Sequence, residues 1–247
     1  MFQSQSSTNQ WLVCPRVNPE AQTRLFLFPY AGGNIATFGR WAPGLPSTIE
    51  AWIAQYPGRG FRYNETPVKD FGVMLNALYE ATQALADKPY AFFGHSMGAL
   101  IAFELACKLH PQILFVSGCS APHIPDSSPP IHDLPDDEFI KSMQKLNGIP
   151  DEILSNAELM ELVLPALRAD FEAFENYRYI PNDRLACPIV AFGGINDPRV
   201  SRKHLEGWEM HTNTFKVQYF PGGHFFINTD YKAVIDSITI EMANAKR

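Results

Sequence analysis

Ser96 stands in Gly94-His95-Ser96-Met97-Gly98, where the apolar run 90–93 meets a helical pattern over residues 99–109. This is the pattern of a nucleophile elbow, a sharp strand-to-helix turn that exposes a hydroxyl at the top of a sheet with a helix N-terminus beneath it. Side chains next to such a serine would strike neighbouring backbone, and glycine at 94 and 98 removes the Cβ atoms that would collide. The chemistry open to the hydroxyl is attack on an acyl carbonyl. The competing role is simpler: a serine that only caps the helix beginning at Met97.

A serine hydroxyl is a poor nucleophile at neutral pH, so acyl transfer needs a base within hydrogen-bond reach and an acid that fixes the base's tautomer. Of the seven histidines, His224 has the right setting, in a turn after the strand pattern 215–220, preceded by Pro221-Gly222-Gly223 and followed by Phe225 and Phe226. Loops at the carboxyl end of a late strand are where an open α/β sheet gathers catalytic groups. His95 is nearer in sequence, but the residue beside the nucleophile in a sharp turn points elsewhere. His110, His123, His132, His204 and His211 read as helix-end, lid or surface residues. For the acid, Asp197 follows Gly193-Gly194-Ile195-Asn196 beyond the strand pattern 188–192 and precedes Pro198. The order serine, acid, histidine is then the one this architecture uses. Asp170 is the rival, within a helical pattern where an ion pair with Arg168 or a neighbouring turn is the expected role.

The oxyanion of a tetrahedral intermediate calls for two preorganised amide donors. Met97, following the nucleophile and starting a helix, supplies one. The second is expected from Phe28-Pro29-Tyr30-Ala31-Gly32-Gly33, with Ala31 favoured over Tyr30. The absence of a His-Gly-Gly-Gly sequence weighs against a lipase-type esterase.

The elements that must hold these residues read as alternating strands and helices. Residues 24–28, 49–55, 90–93, 113–117, 188–192 and 215–220 are strand patterns, the fifth closed by Gly193 and Gly194. Phe71, Met74, Leu75, Leu78 and Leu85 mark one face of a helix, and residues 200–210 and 231–245 two more. Alternation of this kind implies an α/β fold with a mostly parallel central sheet flanked by helices. Between the fourth and fifth of these strands lie a Pro/Ser/Asp-rich linker, 122–130, and helical periodicity over 136–177, read as a helical lid inserted at about 122–180 of a single domain, 1–247. Its apolar residues Phe139, Met143, Leu146, Ile153, Leu154, Leu159 and Leu162 are expected to pack on the sheet, some of them lining the acyl pocket.

The chain has 247 residues, 46% hydrophobic and 19% charged, which is ample for a globular core, and its net charge of -6 disfavours general nucleic-acid binding. Cys14, Cys107, Cys119 and Cys187 are scattered and read as reduced, mostly buried thiols with no zinc-ligand spacing. The polar start, 1–10, lacks a secretory pattern and no window approaches a membrane span, so a cytoplasmic protein is expected.

Six motifs together resemble a known family, the standalone type II thioesterases of nonribosomal peptide and polyketide synthases, which have the α/β-hydrolase fold. They are Phe28-Pro29-Tyr30-Ala31-Gly32-Gly33, Tyr56-Pro57-Gly58-Arg59, Gly94-His95-Ser96-Met97-Gly98, Leu164-Pro165-Ala166-Leu167-Arg168-Ala169-Asp170, Asp197-Pro198-Arg199-Val200 and Pro221-Gly222-Gly223-His224-Phe225-Phe226. Trp11-Leu12 and Arg24-Leu25 fit as well, so the resemblance covers nearly the whole chain. One departure is Gly194-Ile195-Asn196, where many members carry Gly-Asp before the Asp-Pro pair.

The resemblance implies Ser96 as nucleophile, His224 as general base and Asp197 as its orienting acid. It also implies release of aberrant or misprimed acyl groups, small ones included, from the phosphopantetheine arm of acyl or peptidyl carrier proteins. No metal or redox cofactor is expected, and no nucleic-acid or membrane partner; the protein is expected to be a monomer. Because carrier proteins are commonly acidic, docking would need a local basic rim, for which Lys141, Lys145, Arg168, Arg178 and Arg184 are the candidates. The rival readings are a serine hydrolase of free esters or acyl coenzyme A, a non-catalytic binding module on a hydrolase fold, and a releasing domain cut from a synthase. Met1 and the lack of an interdomain linker are read as arguing against the last.

Overall fold

The computed structural model describes residues 10–125, 128–145 and 151–245. Its strands are β1 (Leu12–Val13), β2 (Thr23–Phe28), β3 (Ile49–Ala54), β4 (Tyr90–His95), β5 (Leu114–Ser117), β6 (Ile189–Gly194) and β7 (Phe215–Phe220). They form one sheet in the order β1-β3-β2-β4-β5-β6-β7, parallel throughout except for β1, which pairs antiparallel with β3. All six residues of β2 and all but the first of β4 are buried, as both-face burial in a parallel sheet requires.

Alternation along the strands separates two cores. Phe26, Phe28 and Phe92 face one side, against helices α2 (Phe71–Gln83) and α3 (Met97–Leu109), which follow the short α1 (Ile35–Gly39), while Leu25, Leu27 and Phe93 face the other. Each such fully buried side chain contributes about 1.5–3 kcal/mol relative to exposure. Asp70 caps α2 by accepting the Val73 amide at 2.9 Å, and α3 ends at His110 in the left-handed conformation, φ 52°.

The expected strands and long helices are present, with shifts at their ends. Gly193 and Gly194 do not close β6 but pair within it, opposite Tyr219 and Phe220. The helix expected over 200–210 is broken: Asp197 Oδ1 accepts the amides of Arg199 and Val200, at 2.8 and 3.3 Å, so helix formation waits for the Ser201 cap. The segment then holds one short α-helix, Arg202–Glu206, and a 3₁₀ turn, Gly207–His211.

Between β5 and β6 the described residues form α-helices Asp136–Lys145, Asp151–Leu154 and Ala157–Glu175. Of their apolar side chains, Ala173 and Phe174 join the core of the sheet, but the described residues expected to pack there do not. Phe139, Met143, Met160, Leu167 and Phe171 make a third cluster of their own, with Ala31, Ile153 and Leu154 at its margin. Leu159 and Leu162 face solvent at 39% and 58% exposure, because the helix 157–175 turns Met160, Leu167 and Phe171 inward instead. Leu146 lies outside the described residues.

The insertion is tied together by polar contacts. Glu175 accepts the amides of Ile131 and His132 and pairs with His132 Nδ1 at 2.5 Å. Arg168 donates to the carbonyls of His132 and Leu134, pairs with Asp136, and lies over the Phe139 ring. Arg168 is therefore engaged within this segment and does not pair with Asp170, and its side chain keeps 25% exposure.

Candidate active site

The elbow is built as its glycines require. Ser96 holds φ 54°, a strained value for a residue with a side chain, and its amide donates to the Ser117 carbonyl at 2.8 Å. A Cβ at Gly94 would lie 2.0 Å from the Gly98 carbonyl oxygen, and one at Gly98 would lie 2.0 Å from that of Phe28. The start of α3 is thus pressed on the end of β2, next to the loop that carries Ala31. Although Ser96 is the residue before α3, its side chain makes no capping hydrogen bond. The hydroxyl is left for the pocket.

Asp197 and His224 come from the loops after β6 and β7, which are held backbone to backbone. Ile195 donates to the Phe220 carbonyl and Asn196 to that of Gly222, both at 2.9 Å. A Cβ at Gly194 would meet the Gly223 carbonyl oxygen at 2.2 Å, so only glycine permits this approach. The loops bring His224 Nδ1 to 2.8 Å from Asp197 Oδ2, with side chains 3% and 1% exposed.

Their electrostatics follow from that contact. Burial pushes the Asp197 pKa up, but the hydrogen bond and charge of His224 and the amides of Arg199 and Val200 outweigh it, and the carboxyl stays below its usual value. Burial lowers the pKa of His224; Asp197 opposes the shift and Arg199 reinforces it, leaving the imidazole below its usual 6.5. His224 Nε2 is buried without a hydrogen-bond partner. Such an atom, on the pocket that a serine also lines, is placed to accept a proton.

Ser96 and His224 line one narrow pocket with Tyr30, Ala31, Met143, Leu167, Phe171, Arg199 and Phe225, enclosing about 280 Å³ of empty space including its mouth. In the loop after β2, the Gly32 amide donates to Asp170 and the Gly33 amide to the Tyr30 carbonyl, at 2.7 and 2.8 Å. Neither glycine amide is therefore free to hold an oxyanion.

The other histidines are placed more variously than expected. His95 is fully buried behind the elbow, 2.9 Å from Ser117 Oγ through Nδ1, and is not among the pocket's lining residues; burial and the neighbouring His224 hold its pKa well below the usual range. His211 is not a surface residue: it is 6% exposed, 2.8 Å from His123 Nδ1, and burial lowers its pKa to about 4. The cysteines are free thiols, one buried and three half-buried. Burial pushes Cys14 and Cys107 up to about 12 and Cys187 up to about 11, so none of these three competes as a nucleophile.

Asp170 is not paired as the sequence suggests. It is 0% exposed and its partner is Arg59, from the loop after β3. Arg199, Leu167 and Phe225 stand in the motifs quoted above but were given no place in the pocket, and Phe171 was not named; all four line it. Arg199, two positions after Asp197, and Phe225, next to His224, carried a local signal.

Comparison with known proteins accords with this geometry. The thioesterase domain family matches residues 23–241. The gramicidin S biosynthesis protein GrsT of Aneurinibacillus migulanus is 43% identical over 90% of this chain and 90% of its own. A protein named linear gramicidin dehydrogenase LgrE, from Brevibacillus parabrevis, is 40% identical over 96% of this chain and 95% of its own. Among solved structures, the type II thioesterase BorB from the borrelidin biosynthetic cluster superposes with a TM-score of 0.86 at 34% identity, covering 96% of this chain and 98% of that one. The chain belongs to the thioesterase family, as a type II thioesterase of the α/β-hydrolase fold.

Proposed function

We propose that the protein hydrolyses aberrant or misprimed acyl groups from the phosphopantetheine thiol of carrier proteins in nonribosomal peptide or polyketide synthesis, with Ser96, His224 and Asp197 as its triad. The observation that carries the triad is His224 itself. One ring nitrogen is fixed by Asp197, and the other is buried without a partner on the pocket that Ser96 lines. The related proteins named for peptide-antibiotic and borrelidin biosynthesis support the substrate class.

In the first step Ser96 Oγ bonds to the thioester carbonyl carbon while His224 Nε2 takes the hydroxyl proton. The oxyanion is held by the Met97 and Ala31 amides. Collapse breaks the C–S bond, the imidazolium returns its proton to the pantetheine sulfur, and the acyl group rests on Ser96. Water, deprotonated by the same nitrogen, then repeats the attack and releases the carboxylic acid. Thiolate is a good leaving group, so the protein's tasks are positioning and oxyanion stabilisation, with no cofactor of its own. The same reading takes the enzyme to be a cytoplasmic monomer, with the segment at about 122–180 as a lid and Lys141, Lys145, Arg168, Arg178 and Arg184 as the candidates for a local basic rim.

The test is pH dependence. Only neutral His224 can accept the proton, so kcat/KM rises with pH through the pKa of the free enzyme, and the midpoint is expected below 6.5, the usual value from which burial lowers it. Arg199→Gln removes a positive charge that disfavours the imidazolium, so the midpoint should move up. A midpoint above 6.5 in the wild type, or a downward move in the variant, contradicts His224 as the base.

Met143 reaches the pocket from the insertion and is 1% exposed. Met143→Ala is expected to shift preference toward longer acyl chains, at a stability cost of about 2–5 kcal/mol. Acetyl, butyryl and hexanoyl thioesters compared at one temperature check it, and an unchanged ratio removes Met143 from the acyl wall.

A further inference from the structure

Asp170 is a fully buried carboxylate near the site that the acyl-transfer chemistry does not use. Its Oδ1 accepts from Arg59 Nη2 at 2.7 Å; its Oδ2 accepts from Arg59 Nη1 and from the backbone amide of Gly32 at 2.7 Å. Arg59 is 8% exposed and also donates to the Pro57 carbonyl through Nε and Nη2, at 3.2 and 3.1 Å. Its guanidinium lies 5.3 Å from the centre of the Tyr56 ring, and the Tyr56 hydroxyl donates to the Pro29 carbonyl at 3.1 Å. The network thus joins the helix of residues 157–175 to the backbone at both ends of the stretch Pro29 to Gly32.

A buried ion pair is weak evidence for stability, since apolar residues of similar volume often serve as well or better. What the fork-on-carboxylate arrangement supplies is orientation: both oxygens are fixed by the guanidinium, and one keeps a lone pair for Gly32. Gly32 is the residue after Ala31. Leu167, three positions before Asp170, lines the same pocket as Ser96 and Ala31. We propose that Arg59 and Asp170 are positioning residues for the oxyanion hole, clamping the loop that carries Ala31 to the inserted helix. The inference rests on the reading of Ser96 and the Ala31 amide given above. Its consequence is that the second donor is set only while that helix is docked, so movement of the insertion switches catalysis as well as access.

The experiment uses the full chain and p-nitrophenyl acetate, an ester that requires no carrier protein, together with an alkyl trifluoromethyl ketone whose adduct with Ser96 places an oxyanion in the hole. Asp170→Ala should lower kcat about 100-fold, the effect of disabling one oxyanion donor, with KM changed less than about threefold and ketone affinity falling in step with kcat. Asp170→Asn keeps an acceptor for Gly32 but weakens the hold of Arg59, so it should lose about 10-fold in both and carry the comparison if the alanine variant does not fold. Glu50→Gln is the control: it breaks the buried Arg24–Glu50 pair, which joins the N-terminal ends of the parallel strands β2 and β3, away from the loops that carry Ala31 and Arg59. It should lower the melting temperature and leave kcat and ketone affinity unchanged.

A loss of kcat without loss of ketone affinity, a loss expressed in KM, or the same loss in Glu50→Gln overturns the clamp. If the wild type cleaves the ester but not acyl-carrier protein, the carrier reading fails and this comparison still stands. Ester turnover that survives Ser96→Ala overturns both.

Discussion

Ser96→Ala should abolish turnover of acyl-carrier thioester, lowering kcat by between about 10⁴ and 10⁶, while the protein folds as well as the wild type. The two halves of that expectation have separate causes. Activity falls because no other group in the pocket can form the acyl intermediate; what remains is binding and the oxyanion donors. Stability is retained because alanine brings the same Cβ to the strained φ of 54°, and no side-chain cap bond to α3 exists to be lost. A serine that merely capped the helix would behave in the opposite way, costing about 1 kcal/mol on replacement and leaving activity in place. Steady-state kinetics beside a melting curve separates the two.

Asp197→Asn should cost about 10⁴ in kcat with little change in KM. Asn keeps the shape of aspartate, and its Oδ1 can still accept the Arg199 and Val200 amides that Asp197 holds at 2.8 and 3.3 Å. The group facing His224 Nδ1 then becomes an NH₂, which donates. Nδ1 must become the acceptor, the proton moves to Nε2, and the nitrogen that should take the proton of Ser96 already carries one. Retention of more than a tenth of wild-type kcat would dismiss Asp197 as the orienting acid. Asp170→Asn makes the contrast sharp, since its expected loss is smaller by orders of magnitude and arises from the oxyanion side.

The placement of Ser96, Asp197 and His224 in turns beyond the ends of strands was legible in the sequence, because each follows a strand pattern in a turn whose glycines have one evident use. Local pattern was enough. Where partners are remote it was not: Asp170 and Arg59 are 111 positions apart, and Arg168, only two residues away, was the nearer charge to assign. In the structure Arg168 is taken by the carbonyls of residues 132 and 134, which no periodicity could announce. The edge strand β1 is two residues long, too short to show alternation. Residues 200–210 have helical composition, yet Asp197 claims the first amides and delays the helix. Phe139 and Met143 signalled burial but not their partner, which is Met160, Leu167 and Phe171 rather than the sheet.

The most direct test of the central claim is intact-protein mass spectrometry of an acetyl-loaded carrier protein incubated with the wild type or with Ser96→Ala, beside acetyl coenzyme A. Rapid return of the carrier to its free-thiol mass with the wild type alone, and slower cleavage of the coenzyme A thioester, is the predicted result. Cleavage of acetyl coenzyme A while the carrier stays loaded would contradict it and make the protein a small-molecule hydrolase.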